Sequence, residues 1–242
     1  MNRLSAELER LYGVPGATSP SAAPTLLSPD GLTRCLVLQL GHPADWTLLA
    51  AVWRGVQTEL DWPAPAIAID GKASYQLWFS LTSPITVAEA QAVLLGLQTR
   101  YLAEVPDTRL QRWPQWVGAS AQHAPPVPAP CADDEHWSAF VAPDLAPVFA
   151  DTPCLDLPPS PEGQADLLAS LQCIAAVEWA QALKALSPVK AAPHAPPAQA
   201  PTQQRSEPAT NPAQAFLLKV MHDESVDLAL RVQAAQALLP YL

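Results

Sequence analysis

Glycine is scarce in this chain: nine residues of 242, none in a Walker A or G-x-G-x-x-G spacing. The backbone cradles with which P-loop and dinucleotide-binding proteins hold phosphates are therefore not predicted, and no cofactor is expected. Cysteine numbers four (Cys35, Cys131, Cys154 and Cys173), with no C-x-x-C pair and no histidine at ligand spacing. Neither a metal motif nor a redox motif follows from that pattern. Residues 1–7 lack the apolar segment of a signal peptide, which predicts a reduced, cytoplasmic protein with buried thiols. No run of about 18 apolar residues occurs, so no membrane partner is expected. Serine and histidine lack a G-x-S-x-G elbow, and hydrolase chemistry has no support.

Basic residues are also few. Thirteen Lys and Arg stand against 23 Asp and Glu, giving a net charge of −10. That balance argues against indiscriminate binding to nucleic acid or anionic membranes. The excess acid is local. Residues 1–120 carry ten acids and eight bases, whereas residues 121–190 carry nine acids against Lys184 and Lys190. The first part can still present a basic face.

Proline is what the chain has in plenty, 28 residues, in a globular composition that is 49% hydrophobic and 15% charged. Prolines break helices and central strands, so they mark the connections. Residues 1–30 read as a loosely attached lead-in: a short helix with Leu4, Leu8 and Leu11 on one face, then a loop around Pro15, Pro20, Pro24 and Pro29. A strand follows over 33–40. Asp45 caps a helix bearing Trp46, Leu49, Trp53, Val56 and Leu60 at helical spacing. Strands 66–70 and 74–81 flank an Asp70-Gly71 turn signal. Thr86 and Glu89 have capping-box spacing ahead of a helix that runs to Tyr101. A last strand is predicted over 113–119, where Pro114 confines it to an edge.

This order predicts an α+β fold, a ferredoxin/RRM-like β-α-β-β-α-β sheet over 31–120 with two helices on one face. Residues 121–131 read as an extended linker within a helical extension, 121–186. In that extension a helical stretch begins near His136, Asp133-Asp134-Glu135 supply first-turn charges, and one long helix runs from Ser160-Pro161 to Leu186. Residues 187–211 read as a disordered Pro/Ala/Gln linker, and 212–242 as a C-terminal helical hairpin too small to be stable alone.

Around the turn, Gly71, Ser74, Tyr75, Gln76, Leu77, Trp78, Phe79 and Leu81 match a strand-turn-strand motif. In this the chain resembles the archaeo-eukaryotic primase superfamily, especially its plasmid- and phage-borne replication branch. The resemblance spans about residues 33–120 and implies an RRM-like module and a role in DNA replication of a mobile element. It departs from active members in one respect. They carry paired carboxylates at the end of the first core strand, to hold the metal for nucleotidyl transfer. Here that strand reads Leu36-Val37-Leu38-Gln39-Leu40-Gly41-His42-Pro43 and has no acid. The resemblance thus implies a non-catalytic accessory that binds single-stranded or duplex nucleic acid or a nucleotide, with no catalytic residue and no metal.

The candidate binding residues are Lys72, Ser74, Tyr75, Gln76 and Trp78 in the motif, with Arg100, Arg109 and Arg112 as a phosphate-binding and stacking patch beside Trp113 and Trp116. Each has a plainer reading. Gln76 is equally an outward polar residue of an alternating strand, Lys72 a solvated turn lysine, and the arginines ordinary surface cations. Two further functions stand beside the first. One is a protein-interaction adaptor that recruits a partner, such as a replication protein, through 212–242, a stretch resembling a helical module of phage and mobile-element proteins. The other is an active primase.

Overall fold

The computed structural model describes residues 2–16, 24–118, 120–132 and 135–186. The linker and helical hairpin expected over 187–242 lie outside the described residues. The protein is α+β, organised on a five-stranded antiparallel sheet in the order β4-β1-β3-β2-β7. Its strands are β1 (Leu32–Gly41), β2 (Ala66–Ile69), β3 (Ser74–Thr86), β4 (Leu110–Trp113) and β7 (Ala139–Val141). Two short strands, β5 (Gln115–Val117) and β6 (Ser120–Gln122), pair as a separate ribbon.

Strand β1 reads as a nearly unbroken apolar run because it is buried on both faces. Leu36, Leu38 and Leu40 join Tyr75, Leu77 and Phe79 of β3 on one face, under α2 (Trp46–Glu59), α3 (Val87–Tyr101) and α5 (Ala176–Leu186). Cys35, Val37, Trp78 and Phe140 lie on the other, under α1 (Arg3–Tyr12) and α4 (Pro161–Ala169). The helix starts form as their caps dictate. The Asp45 side chain accepts the Leu48 N–H at 3.2 Å. Thr86 and Glu89 close a reciprocal box, the Thr86 hydroxyl oxygen accepting the Glu89 N–H at 3.2 Å and the Glu89 carboxylate accepting the Thr86 N–H at 2.9 Å.

Several expectations change. Residues 1–30 are not a loose lead-in at their helix. Leu11 and Tyr12 are completely buried against the sheet, because Trp78 and Phe140 present an apolar surface that water must not reach. Arg34 secures that end, donating to the carbonyls of Leu81, Gly13 and Arg10. The edge strand is 110–113, not 113–119; Pro114, which has no N–H to give, ends it. Residues 139–141 form a strand, not a helix, and the described residues 135–138 contain no helix for Glu135 or His136 to cap. Strand β7 occupies the open edge of β2, and Gln164 of α4 closes its far side. That side chain accepts the Phe140 N–H at 2.8 Å and donates to the Phe140 carbonyl at 2.9 Å, as a sixth strand would.

The single long helix expected to Leu186 is two. Strand β2 ends its pairing at Trp78, so the backbone of Ser80 and Thr82 needs another partner. Ile174 supplies it, donating to the Ser80 carbonyl at 2.8 Å and accepting the Thr82 N–H at 3.0 Å. Residues 170–175 therefore leave helical geometry between α4 and α5.

Candidate functional site

On the α1/α4 side the sheet is apolar at one end and polar at the other. Register brings three glutamines into one row across it. Gln39 of β1 stands opposite Gln76 of β3 and Gln111 of β4. Their side chains alternate with the apolar residues that face α2 and α3, so a period of two places all three on this face. Trp78 Nε1–H donates to Gln76 Oε1 at 2.8 Å, Gln76 Nε2 to Gln39 Oε1 at 2.8 Å, and Gln39 Nε2 to Ser74 Oγ at 3.1 Å. A primary amide has two N–H donors, and this relay uses one from each buried glutamine. The row thus fixes its own orientation and keeps donor capacity for something else.

The row floors a cleft of about 410 Å³. Lys72 and His42 stand at its rim and Trp113 at its side. The opposite wall is the proline-rich segment 125–132, which the sequence presents as a free linker. It is held by exchange with the residue before β7: Ser138 donates its N–H to the Ala129 carbonyl at 2.9 Å, and Ala129 donates its own to Ser138 Oγ at 2.9 Å. Gly71 is required beneath this wall. Its φ is +79°, and a Cβ there would lie 2.3 Å from the Cys131 sulfur. The turn itself is organised by Asp70, whose Oδ1 accepts the N–H groups of Lys72, Ala73 and Ser74.

The predicted residues separate into two groups. Lys72, Ser74, Gln76 and Trp78 are on the cleft face, Trp78 packed beyond the glutamine row against Tyr12, Phe140 and His123. Tyr75 is on the opposite face, fully buried, its hydroxyl donating to the Ala146 carbonyl at 2.6 Å. Burial pushes its pKa up to about 12. The three arginines do not form a patch. Arg100 is paired with Glu59 between α3 and α2, Arg109 donates to the carbonyls of Gly41 and Pro43, and Arg112 pairs with Asp107 at 3.2 Å. Trp113 walls the cleft, whereas Trp116 is exposed on the β5–β6 ribbon. Gln39, Gln111, His42, Cys131 and Ser138 were not foreseen in the site. One signal for Gln39 was available: a lone amide in a run of apolar strand residues must find a partner when buried.

The electrostatics of the cleft are mild. Asp70 is the sole carboxylate among its described lining residues, and the turn amides engage it. Among the described residues no acid pair lines the cleft to share a divalent ion. Just beyond the wall, His123 Nε2–H donates to the Cys35 carbonyl at 3.0 Å while Nδ1 accepts the Ala124 N–H at 2.8 Å. Burial lowers its pKa to about 4, so it is a neutral ring that braces the wall. Such a cleft offers planar amide donors and acceptors with the exposed Lys72 at the rim. In comparisons with known proteins, no family model and no curated protein matches the chain.

Proposed function

We propose that this chain is a non-catalytic, primase-like accessory that binds a nucleotide or single-stranded nucleic acid in the cleft over the glutamine row. The observation that carries the reading is the row itself: three amides in register at the floor of a cleft with one engaged carboxylate. Amide side chains read the donor and acceptor edge of a base, and Lys72 supplies a point charge for a phosphate. Among the described lining residues no second acid joins Asp70 to hold the metal on which nucleotidyl transfer depends. The sequence resemblance adds the setting, replication of a mobile element.

The test is fluorescence anisotropy of the full chain with labelled oligonucleotides and with nucleoside triphosphates, at two salt concentrations. Saturable binding is expected, weakened about tenfold by Gln111→Ala, since a base-edge contact contributes about 1–3 kcal/mol. Lys72→Ala should lower the salt slope by about one. Both positions are exposed, so neither variant threatens the fold. No saturable binding at low salt, or binding untouched by both substitutions, overturns the reading.

A further inference from the structure

Away from the glutamine row, the fold brings together three residues that no spacing in the sequence connects. Trp137 and Leu155 form an antiparallel bridge, the Trp137 N–H donating to the Leu155 carbonyl at 2.8 Å and the return bond at 3.1 Å. In that register His136 stands opposite Asp156. Cys154, two residues before Asp156, shares its face. The imidazole, thiol and carboxylate ligand atoms all lie within 4.8 Å of one another. Tetrahedral zinc, with bonds of about 2.0–2.3 Å, holds its ligands about 3.5 Å apart, so closure needs movements of roughly an ångström. Rotation of exposed and half-buried side chains supplies that, while the two backbone hydrogen bonds hold the frame.

We propose that His136, Cys154 and Asp156 bind one borderline divalent transition-metal ion, of which zinc is the type. The donor set decides the class. Magnesium and calcium take oxygen ligands, whereas thiolate with imidazole selects zinc and its neighbours in the first transition row. None of the four cysteines is in a disulfide, so Cys154 is a thiol and not half of a cystine. On binding it gives its proton to solvent, and the ion accepts the sulfur lone pair. Three protein ligands leave one tetrahedral position for water.

The position gives the ion a structural consequence. His136 accepts the Cys131 N–H through its carbonyl at 2.8 Å, and Pro153, beside Cys154, accepts the Gly71 N–H at 3.0 Å. Metal would therefore clip the proline-rich wall and the 70–73 turn into one piece. The inference concerns this clip and does not depend on what the cleft binds.

The full chain, stripped with a chelator and dialysed, is titrated with zinc against a chromogenic competitor, and separately with cobalt as a spectroscopic probe. One equivalent is expected, with a thiolate-to-cobalt charge-transfer band. Losing partners that only orient ligands costs about 10–100-fold in affinity, so losing a ligand should cost at least about a hundredfold in Cys154→Ser and His136→Ala. The band should vanish in Cys154→Ser and survive in Cys173→Ser. Asp156→Asn, at an exposed position that leaves folding intact, should bind at least about tenfold more weakly. Near-ultraviolet circular dichroism checks that each variant is folded. Failure of the native chain to bind one equivalent overturns the site. So does a charge-transfer band that persists in Cys154→Ser, or affinity unchanged by Asp156→Asn.

Discussion

The two faces of the sheet are built from the same strands by opposite rules. Under α2, α3 and α5 the two central strands present an apolar surface, from Leu36, Leu38 and Leu40 to Leu77 and Phe79. Under α1 and α4 the pattern divides. Cys35, Val37 and Trp78 are packed, whereas Gln39, two residues after Val37, and Gln76, two residues before Trp78, are buried yet polar. A closed apolar face stabilises through area removed from water. A buried amide adds stability only when its hydrogen bonds are made, and it otherwise costs about 1–3 kcal/mol. The second face therefore gives up core at one end and holds the hydrogen-bonded pair Gln39 and Gln76 there instead.

Adjacent residues of β3 let this contrast be broken. Phe79 is fully buried on the closed face, its ring 5.8 Å from that of Trp62. Phe79→Ala should destabilise by about 3–5 kcal/mol in urea unfolding, the cost of lost burial plus a cavity. A smaller loss, comparable to a surface change, would mean that the closed face is not the main core.

The next largest effect is pH-dependent and belongs to the other face. His123 has a folded pKa of about 4, depressed below the ordinary 6.5 by burial. Between these values the unfolded chain takes up the proton and the folded one does not. The contribution is thus fully present above about pH 6.5 and is lost as pH falls toward 4, amounting to about 3 kcal/mol. In His123→Gln, denaturation midpoints across that window should fall less steeply than in the native chain. Parallel curves would place the histidine in water and loosen the wall that it braces.

The smallest effect sharpens the comparison most. Trp78→Phe keeps the ring packed against Tyr12 but removes the donor to Gln76 Oε1. A cost of about 1–3 kcal/mol is expected from the unpaired buried oxygen, measured by the same unfolding series. A cost equal to that of Phe79→Ala would make the amide row a structural necessity and not a spare surface.

Much of the fold was legible because its signals are local. Asp45 and the Thr86–Glu89 box announce helix starts through bonds spanning three residues, and Asp70-Gly71 announces a turn through one carboxylate and one left-handed glycine. The misread segments answer to remote partners. Residues 139–141 are too short a run to announce a strand and are extended because they pair with the edge of β2. Residues 170–175 leave the helix because Ser80 and Thr82 lack a ladder partner. The site was half legible for the same reason. Gln76 stood out among aromatics, but Gln39 acquires meaning only when register sets it opposite Gln76, and the arginines lost theirs once Glu59, Asp107 and the carbonyls of Gly41 and Pro43 claimed them.

By itself the sequence determined the α+β class, the strand and helix order through Tyr101, and the lack of acids on β1, since periodicity, caps and composition are properties of neighbours along a chain. Tertiary structure alone decided that the second face is half covered by α1 and α4, and that a proline-rich segment walls the cleft. It alone sets three glutamines in one row, joins Gln76 and Gln39 in a relay, and sets His136 across from Cys154 and Asp156. Those are matters of register and edge satisfaction, in which one buried backbone or amide group must find its partner far away in the chain.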